Sequence, residues 1–121
     1  MSFAVSDSVS HVLAAALDGV SLRQRVIADN VANVDTPGFR ATSVDFETQL
    51  RAAIGDGSVQ QGTASVTATT SPTDTPVGAN GNNVDLRKET MAAVQSQFQY
   101  QILTRAVTDR FNLVKTAATG M

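Results

Sequence analysis

Apolar residues recur at intervals of three and four along two long stretches of the chain, one near each end. In residues 8–34 they are Val9, Leu13, Ala16, Val20, Ile27, Val31 and Val34. In residues 86–118 they are Met91, Val94, Phe98, Ile102, Leu103, Val107, Phe111 and Val114. This spacing is typical of helices that bury one face against another helix. The pattern therefore predicts two long amphipathic helices.

Capping residues set the predicted ends of both helices. Asp7 or Ser8 is suited to be the N-cap of the first helix, which must stop before Pro37. Asp85 is the predicted N-cap of the second helix, and Gly120 is its predicted terminator.

Two features interrupt the first helix. Arg23 and Gln24 break the apolar repeat for one turn. Gly19 costs a helix about 1 kcal/mol relative to Ala, so it indicates a kink or a close helix contact at that point.

The middle of the chain contains two kinds of sequence. Residues 39–46 are predicted to be partly extended, and an apolar residue at every fourth position from Phe46 to Ile54 indicates a short helix. Residues 58–76 are mostly Ser, Thr, Gly and Ala, which bury too little apolar surface to order the segment. We predict a flexible loop there, followed by a turn at residues 80–83.

These elements predict a mainly α protein whose N- and C-terminal helices pair as an antiparallel, coiled-coil-like hairpin. The predicted divisions are the first helix with its turn (1–38), a short extended segment with a short helix (39–57), the Ser/Thr/Gly-rich loop (58–83) and the second helix (84–121). The two terminal helices form one structural unit. A helical hairpin of about 60 residues has a small core, so we expect its packing to be completed between subunits.

Composition excludes several classes of function. The 121-residue chain has a formal net charge of −2 and no cysteine. No cluster of basic and aromatic residues predicts nucleic-acid binding, and the lack of cysteine excludes disulfides and thiolate chemistry. Residues 1–7 lack a basic region and no segment approaches the roughly 20 apolar residues that span a bilayer. We therefore expect neither a cleavable signal peptide nor bilayer insertion.

No group of residues predicts catalysis or metal binding. His11 is the only histidine, and no nucleophile converges on it. Asp45 and Glu47 flank Phe46, and capping of the short helix explains them better than a catalytic pair. No set of ligands has the spacing of a zinc site, and the glycines of residues 78–81 lack the Lys and the preceding strand of a phosphate loop. The sequence predicts no enzyme, no cofactor and no small-molecule substrate.

The sharpest local signal is the turn that follows the first helix. Pro37 fixes φ for the second position of a type II turn, and Gly38 supplies the positive φ of the third. Asn30 and Asn33 share a helix face just before it, from which they can bond to backbone where the helix unwinds. This combination points to assembly rather than to catalysis.

The stretch from Leu22 to Ala41, LRQRVIADNVANVDTPGFRA, resembles the signature of the bacterial flagellar basal-body rod proteins. The Asn-x-Ala-Asn segment, the Thr-Pro-Gly-aromatic turn and the position near the amino terminus all coincide with that family. The carboxyl-terminal part is similar to that of one type of proximal-rod member, on the basis of residues 82–86 and a long helix that contains FQYQ at 98–101. Members of the rod protein C type are the next most similar. Asp35 departs from the Asn often found before the turn.

The resemblance implies an axial structural subunit that polymerises by helix packing into the proximal rod of the motor drive shaft. It also implies type III export without a cleavable signal peptide and residence in the periplasmic rod of the basal body. The implied partners are copies of the chain, other rod proteins, the rod-to-ring adaptor protein and the flagellar export gate. The alternative is a secreted helical adaptor, or a subunit like rod protein C, that binds one partner without forming the proximal rod.

Two regions are then expected to carry the subunit contacts. The turn region contributes Asn30, Asn33, Thr36, Pro37, Gly38 and Phe39. The second helix contributes Met91, Val94, Phe98, Tyr100, Ile102, Val107, Phe111 and Val114. Glutamines around Phe98 and Tyr100 fit either a packed polar interface or a solvated face with one buried aromatic.

Overall fold

The computed structural model describes the backbone of residues 3–119 and the side chains of residues 8–119. In chain order the elements are α1 (Phe3–Ala32), β1 (Thr42–Asp45), α2 (Glu47–Gly55), α3 (Ser58–Gln61), β2 (Thr69–Pro72) and α4 (Leu86–Thr119). The two long helices make the most extensive contact, and the short middle elements lie beside α1. The chain is therefore mainly α, as the sequence predicts.

The antiparallel pairing of α1 with α4 is confirmed by three side-chain contacts along the helices. Ser10 Oγ accepts from Arg110 Nε at 3.3 Å, Gln99 Oε1 accepts from Arg23 Nη1 at 2.8 Å, and Glu89 Oε1 accepts from Asn30 Nδ2 at 3.1 Å. Residue numbers rise along one helix as they fall along the other. The hairpin therefore holds its register over most of its length.

The start predicted for α1 is wrong. The helix begins at Phe3, so Asp7 and Ser8 lie inside it and neither is its N-cap. No Gly or Pro stands between residues 3 and 8 to stop the helix, and Ser8 is buried rather than placed at an end.

The predicted cap of α4 is confirmed. Asp85 Oδ1 accepts hydrogen bonds from the backbone N–H groups of Arg87 and Lys88, at 3.1 and 3.2 Å. These donors have no partner within the helix, so the carboxylate satisfies them. The predicted terminator Gly120 lies outside the described residues.

The core lies where the middle of the chain crosses the hairpin. Ala16, Val20 and Phe46 are its buried residues, and Val66, Ala68 and Leu103 pack against them. The Phe46 ring lies so close to Gly19 that a Cβ on the glycine would stand 2.5 Å from Cδ1. Gly19 thus marks a close contact with a ring from the middle segment, not with the other long helix.

The middle segment is more ordered than its sequence indicates. Strand β1 confirms the predicted extended stretch, and α2 confirms the short helix. The Ser/Thr-rich segment, predicted to be a loop, contains α3 and strand β2, which pairs antiparallel with β1 from Thr42↔Pro72 to Asp45↔Thr69. All four β2 residues are exposed, so backbone pairing orders the strand without burial of its side chains. The flexibility of this segment stays a prediction.

The two acidic residues around Phe46 have different roles. Asp45 accepts from Thr48 N and Thr48 Oγ1 at 3.2 and 2.7 Å, so it caps α2 as predicted. Glu47 Oε1 accepts from the backbone N–H of Phe46 at 3.3 Å, so this carboxylate also bonds at the start of α2, as predicted. In addition, Glu47 forms an ion pair with Arg23 at 2.5 Å, which the sequence did not predict.

Candidate assembly joint and helix surface

The turn after α1 has the predicted geometry. Phe39 N donates to Thr36 O at 3.2 Å, which closes the turn, and Gly38 has φ +76°. The side of Gly38 where a Cβ would stand is open, with nothing within 4 Å. Glycine is therefore favoured at this position by the backbone conformation and not by crowding.

Residues 80–83, immediately before α4, lock this turn in place. Asn82 Nδ2 donates to Asn33 O and Thr36 O, both at 2.8 Å, and Gly38 N donates to Asn80 O at 2.9 Å. We refer to residues 33–41 with residues 80–83 as the joint. Because these bonds span the two ends of the chain, the joint fixes where α4 starts relative to the end of α1.

Asn83, the neighbour of Asn82, holds the chain that leads from the turn into β1. Asn83 Oδ1 accepts from Ala41 N at 2.6 Å, and Asn83 N donates to Phe39 O at 3.3 Å. Its Nδ2 reaches Thr75 O at 3.3 Å. Asn82 and Asn83 are both buried. Sequence reasoning identified a turn here but missed these side-chain roles, for which adjacent asparagines before a helix were the available signal.

Asn30 and Asn33 bond to backbone as predicted, but in different places. Asn33 Nδ2 donates to Asp29 O at 2.8 Å, at the unwinding end of α1. Asn30 is 1% exposed and reaches across to β1, donating to Thr42 O at 2.8 Å and accepting from Thr42 N at 3.3 Å. The contacts of Asn30 thus hold, from inside the subunit, the strand that follows the joint.

Arg23 connects four elements and was missed as a structural residue. Its guanidinium donates to Val44 O at 2.6 and 3.2 Å, to Glu47 Oε1 and to Gln99 Oε1, and it lies 5.0 Å from the centroid of the Phe46 ring. Burial opposes ionisation of Glu47, but the hydrogen bond and charge of Arg23 lower its pKa overall. The break in the apolar repeat was the sequence signal for this residue.

The candidate residues of α4 all lie on its surface in the single subunit. Phe98, Ile102 and Phe111 are 60%, 66% and 69% exposed, and the other candidates are Met91, Val94, Tyr100, Val107 and Val114, likewise exposed. The face of α4 directed toward α1 carries Glu89, Ala92, Ser96, Gln99 and Leu103, of which Leu103 is the one large apolar residue. The candidate apolar side chains are therefore left largely uncovered within the single subunit.

These surface residues fall into separate areas. Met91, Val94, Phe98 and Ile102 follow one helix face at steps of three and four, and we call them the outer stripe. Val107, Phe111 and Val114 line a groove of about 230 Å³ with Ser10 and Leu13 of α1. Tyr100 lies in another shallow groove beside Thr104 and Thr108.

His11 is exposed, and no three of the described His, Asp or Glu side chains stand together in a way that would hold a metal ion. None of the helices between residues 3 and 119 combines the length and apolar character that a membrane crossing requires.

The two long helices pair, an apolar face of α4 stays exposed, and the turn after α1 is held by hydrogen bonds. These features are typical of a structural subunit that functions by assembly. Residues 12–40 match the family described as "Flagella basal body rod protein". The chain is 34% identical to the flagellar basal body rod protein FlgB of Bacillus subtilis, covering 87% of this chain and 88% of that protein.

Two further FlgB proteins are similar to the chain. That of Borreliella burgdorferi is 31% identical over 81% of this chain and 86% of the relative, and that of Escherichia coli is 31% identical over 70% and 74%. The chain belongs to the flagellar basal-body rod protein family and is of the rod protein B type. It is a structural subunit of the proximal rod, and the comparisons do not favour the alternative of an adaptor or a subunit like rod protein C.

Proposed function

We propose that the outer stripe of α4 is the main surface by which this subunit packs against its neighbours in the proximal rod. The observation that carries this proposal is the exposure of large apolar side chains on a helix whose opposite face is already in contact with α1. Contiguous apolar faces of this kind on a folded chain mark interaction sites.

The expected gain from covering the stripe is large for so small a subunit. Full burial of a Val, Ile, Met or Phe side chain is worth about 1.5–3 kcal/mol. The buried apolar residues of the described part of the chain are few and mostly small: Ala16, Val20, Ile27, Ala41, Val44, Phe46, Ala53 and Val59. Packing between subunits would therefore add substantially to the apolar surface that each subunit buries, which couples its order to assembly.

The joint has a second role in this proposal. Thr36 and Pro37 are exposed at its tip, and Phe39 is half-buried beside them. The bonds from Asn82 to the turn hold these residues at a fixed position relative to both helices. We assign to the joint the contact that sets the angle between neighbouring subunits, with Asn30 and Asn33 holding it from within.

The groove at the open end of the hairpin is a second candidate surface. Its lining, which includes Phe111 and Val114, is mainly apolar, and it lies at the opposite end of the helix pair from the joint. A neighbouring helix seated there would contact both α1 and α4, separately from the contact at the outer stripe. Tyr100 and Val107 complete the proposed interface.

Family membership supports the remaining parts of the proposal. Assembly with other rod components and with copies of the chain follows from the family, and we add contacts with the rod-to-ring adaptor protein and the flagellar export gate. We also propose type III export, without a cleavable signal peptide, to a position in the periplasmic part of the rod. A small core that is easily unfolded suits passage through a narrow channel. The proposed role requires no catalysis.

Polar substitution in the outer stripe tests the proposal. Phe98→Asn or Ile102→Asn is expected to abolish rod assembly and motility when each replaces the native chain in cells, while circular dichroism of the purified chain stays unchanged. Gln97→Asn, an exposed change on α4 outside the stripe and outside the groove of Tyr100, is the matched control and should assemble normally. Motile cells with normal basal bodies in both stripe variants would refute the proposed surface.

A further inference from the structure

Glu89 is a carboxylate in an unusual place. It lies in the first turn of α4 and is 8% exposed, on the face directed toward α1. Its Oε1 accepts from Asn30 Nδ2 at 3.1 Å, and the same amide donates to Thr42 O at 2.8 Å. One amide group therefore joins the carboxyl of α4 to the backbone of β1 across the body of α1.

A small cavity separates this carboxyl from the nearest fixed cation. The cavity has a volume of about 90 Å³, with Glu89 and Arg23 both in its wall. The guanidinium of Arg23 is already bonded to Val44 O, Glu47 and Gln99. It is thus committed to other acceptors and does not form an ion pair with Glu89.

The remaining charges around Glu89 do not neutralise it. Asp85 and Lys88 stand near it on α4, and β1 contributes only neutral side chains to the cavity wall. Asp74 lies across the wider groove between α4 and the segment after β2, where it pairs with Lys88 at 3.8 Å. Within residues 8–119, the ion pairs closer than 4.0 Å are Arg23 with Glu47 and Lys88 with Asp74.

The net effect of these surroundings is to raise the pKa of Glu89. Burial is the largest cause and Asp85 adds to the rise, while the Asn30 hydrogen bond and Lys88 oppose it. A carboxyl whose pKa is raised in the folded state binds its proton more tightly there than in the unfolded chain. Its contribution to stability is complete below the unfolded value of about 4.3 and is lost as the pH rises through the folded value.

We infer that Glu89 is a proton-operated latch at the meeting point of α1, β1 and α4. When its carboxyl takes up a proton, α4 and β1 close onto α1 without a buried charge. When the proton leaves, the carboxylate must regain water, and the amino-terminal part of α4 separates from α1 and β1 more readily. The device is built into the single subunit and does not depend on the proposed assembly surface.

Unfolding of the full-length chain over a pH series tests the latch. We expect the apparent midpoint for the native chain, followed by circular dichroism, to rise as the pH is lowered from about 7.5 toward the folded pKa of Glu89. Glu89→Gln should remove this rise and should be more stable than the native chain at neutral pH. The ratio of folded to unfolded protein should increase about tenfold for each unit by which the pKa of Glu89 is raised. Glu47→Gln is the matched control, because its carboxylate is ion-paired and its pKa is lowered, so this change should destabilise at neutral pH.

A direct titration makes the test independent of variant folding. The side-chain carboxyl carbon of Glu89, followed by nuclear magnetic resonance in the native chain, should titrate above an exposed glutamate. If the pKa of Glu89 is that of an exposed glutamate, the inference is overturned. This holds also if the value is ordinary because the isolated chain does not adopt this fold. A pH dependence of Glu89→Gln that matches the native chain would overturn it as well.

Discussion

Substitution of Gly19 by alanine is expected to destabilise the protein even though alanine is the better helix former. Gly19 is buried within α1, and a Cβ there would stand 2.5 Å from Cδ1, 2.8 Å from Cγ and 3.1 Å from Cε1 of Phe46. The first two distances are shorter than real carbon atoms approach, so the ring must move. Phe46 is 4% exposed and packs in the core beneath the Arg23 guanidinium, so it has little room to do so.

Two opposing terms determine the size of the effect. Replacing Gly by Ala inside a helix is worth about 1 kcal/mol of added stability. Overpacking of a close-packed core costs about 1–3 kcal/mol, and displacement of a whole ring places Gly19→Ala at the upper end of that range. The net expected loss is about 2 kcal/mol, a large fraction of the stability of a small domain.

Urea unfolding of the purified chain, followed by circular dichroism, measures this loss. Gly55→Ala is the matched control, because Gly55 is the last residue of α2 and nothing lies within 4 Å of its Cβ position. That change should be neutral or add up to about 1 kcal/mol. Adding Phe46→Leu to Gly19→Ala should recover part of the loss by reducing the clash. If Gly19→Ala is as stable as Gly55→Ala, the close contact between α1 and Phe46 is not present.

Two further substitutions test the joint and the Arg23 contacts. Gly38→Val should lose about 1–3 kcal/mol in urea unfolding and abolish rod assembly in cells, because a β-branched residue tolerates φ +76° poorly. Gly38→Asn, which accepts positive φ, should retain assembly, and normal rods in the valine variant would contradict the turn assignment. Arg23→Lys should lose about 2–3 kcal/mol in the same assay, since one ammonium cannot serve Val44 O, Glu47 and Gln99 together; unchanged stability would show that these bonds contribute little.

The sequence predicted those features that depend on neighbouring residues. Asp85 caps α4 through the second and third amides after it, and Gly38 sets the turn through its own backbone. Periodicity likewise identified both long helices. The start of α1 was misplaced because a residue able to cap a helix can also lie within one, as Ser8 does.

Features that depend on distant partners were not predictable in the same way. Arg23 bonds to Gln99, 76 positions away, and Asn82 bonds to Asn33, 49 positions away. Strand β2 has no apolar pattern because its order comes from backbone pairing with β1. Apolar periodicity in α4 revealed a packing face, but it could not show that the chain's own partner helix lies against the more polar side that carries Glu89 and Ser96.

The side chains of α1 that bond to β1 also oppose one mode of association, the addition of a foreign strand to the edge of β1. Asn30 occupies both the N–H and the C=O of Thr42, and Arg23 occupies the C=O of Val44. At Thr42 this edge of the strand has no backbone group left for a foreign strand, at Val44 its acceptor is taken, and the proline that ends β2 removes a donor from the sheet's other strand. These contacts oppose growth by strand addition between subunits. A chain that assembles with copies of itself thus carries its own protection against sheet-like aggregation.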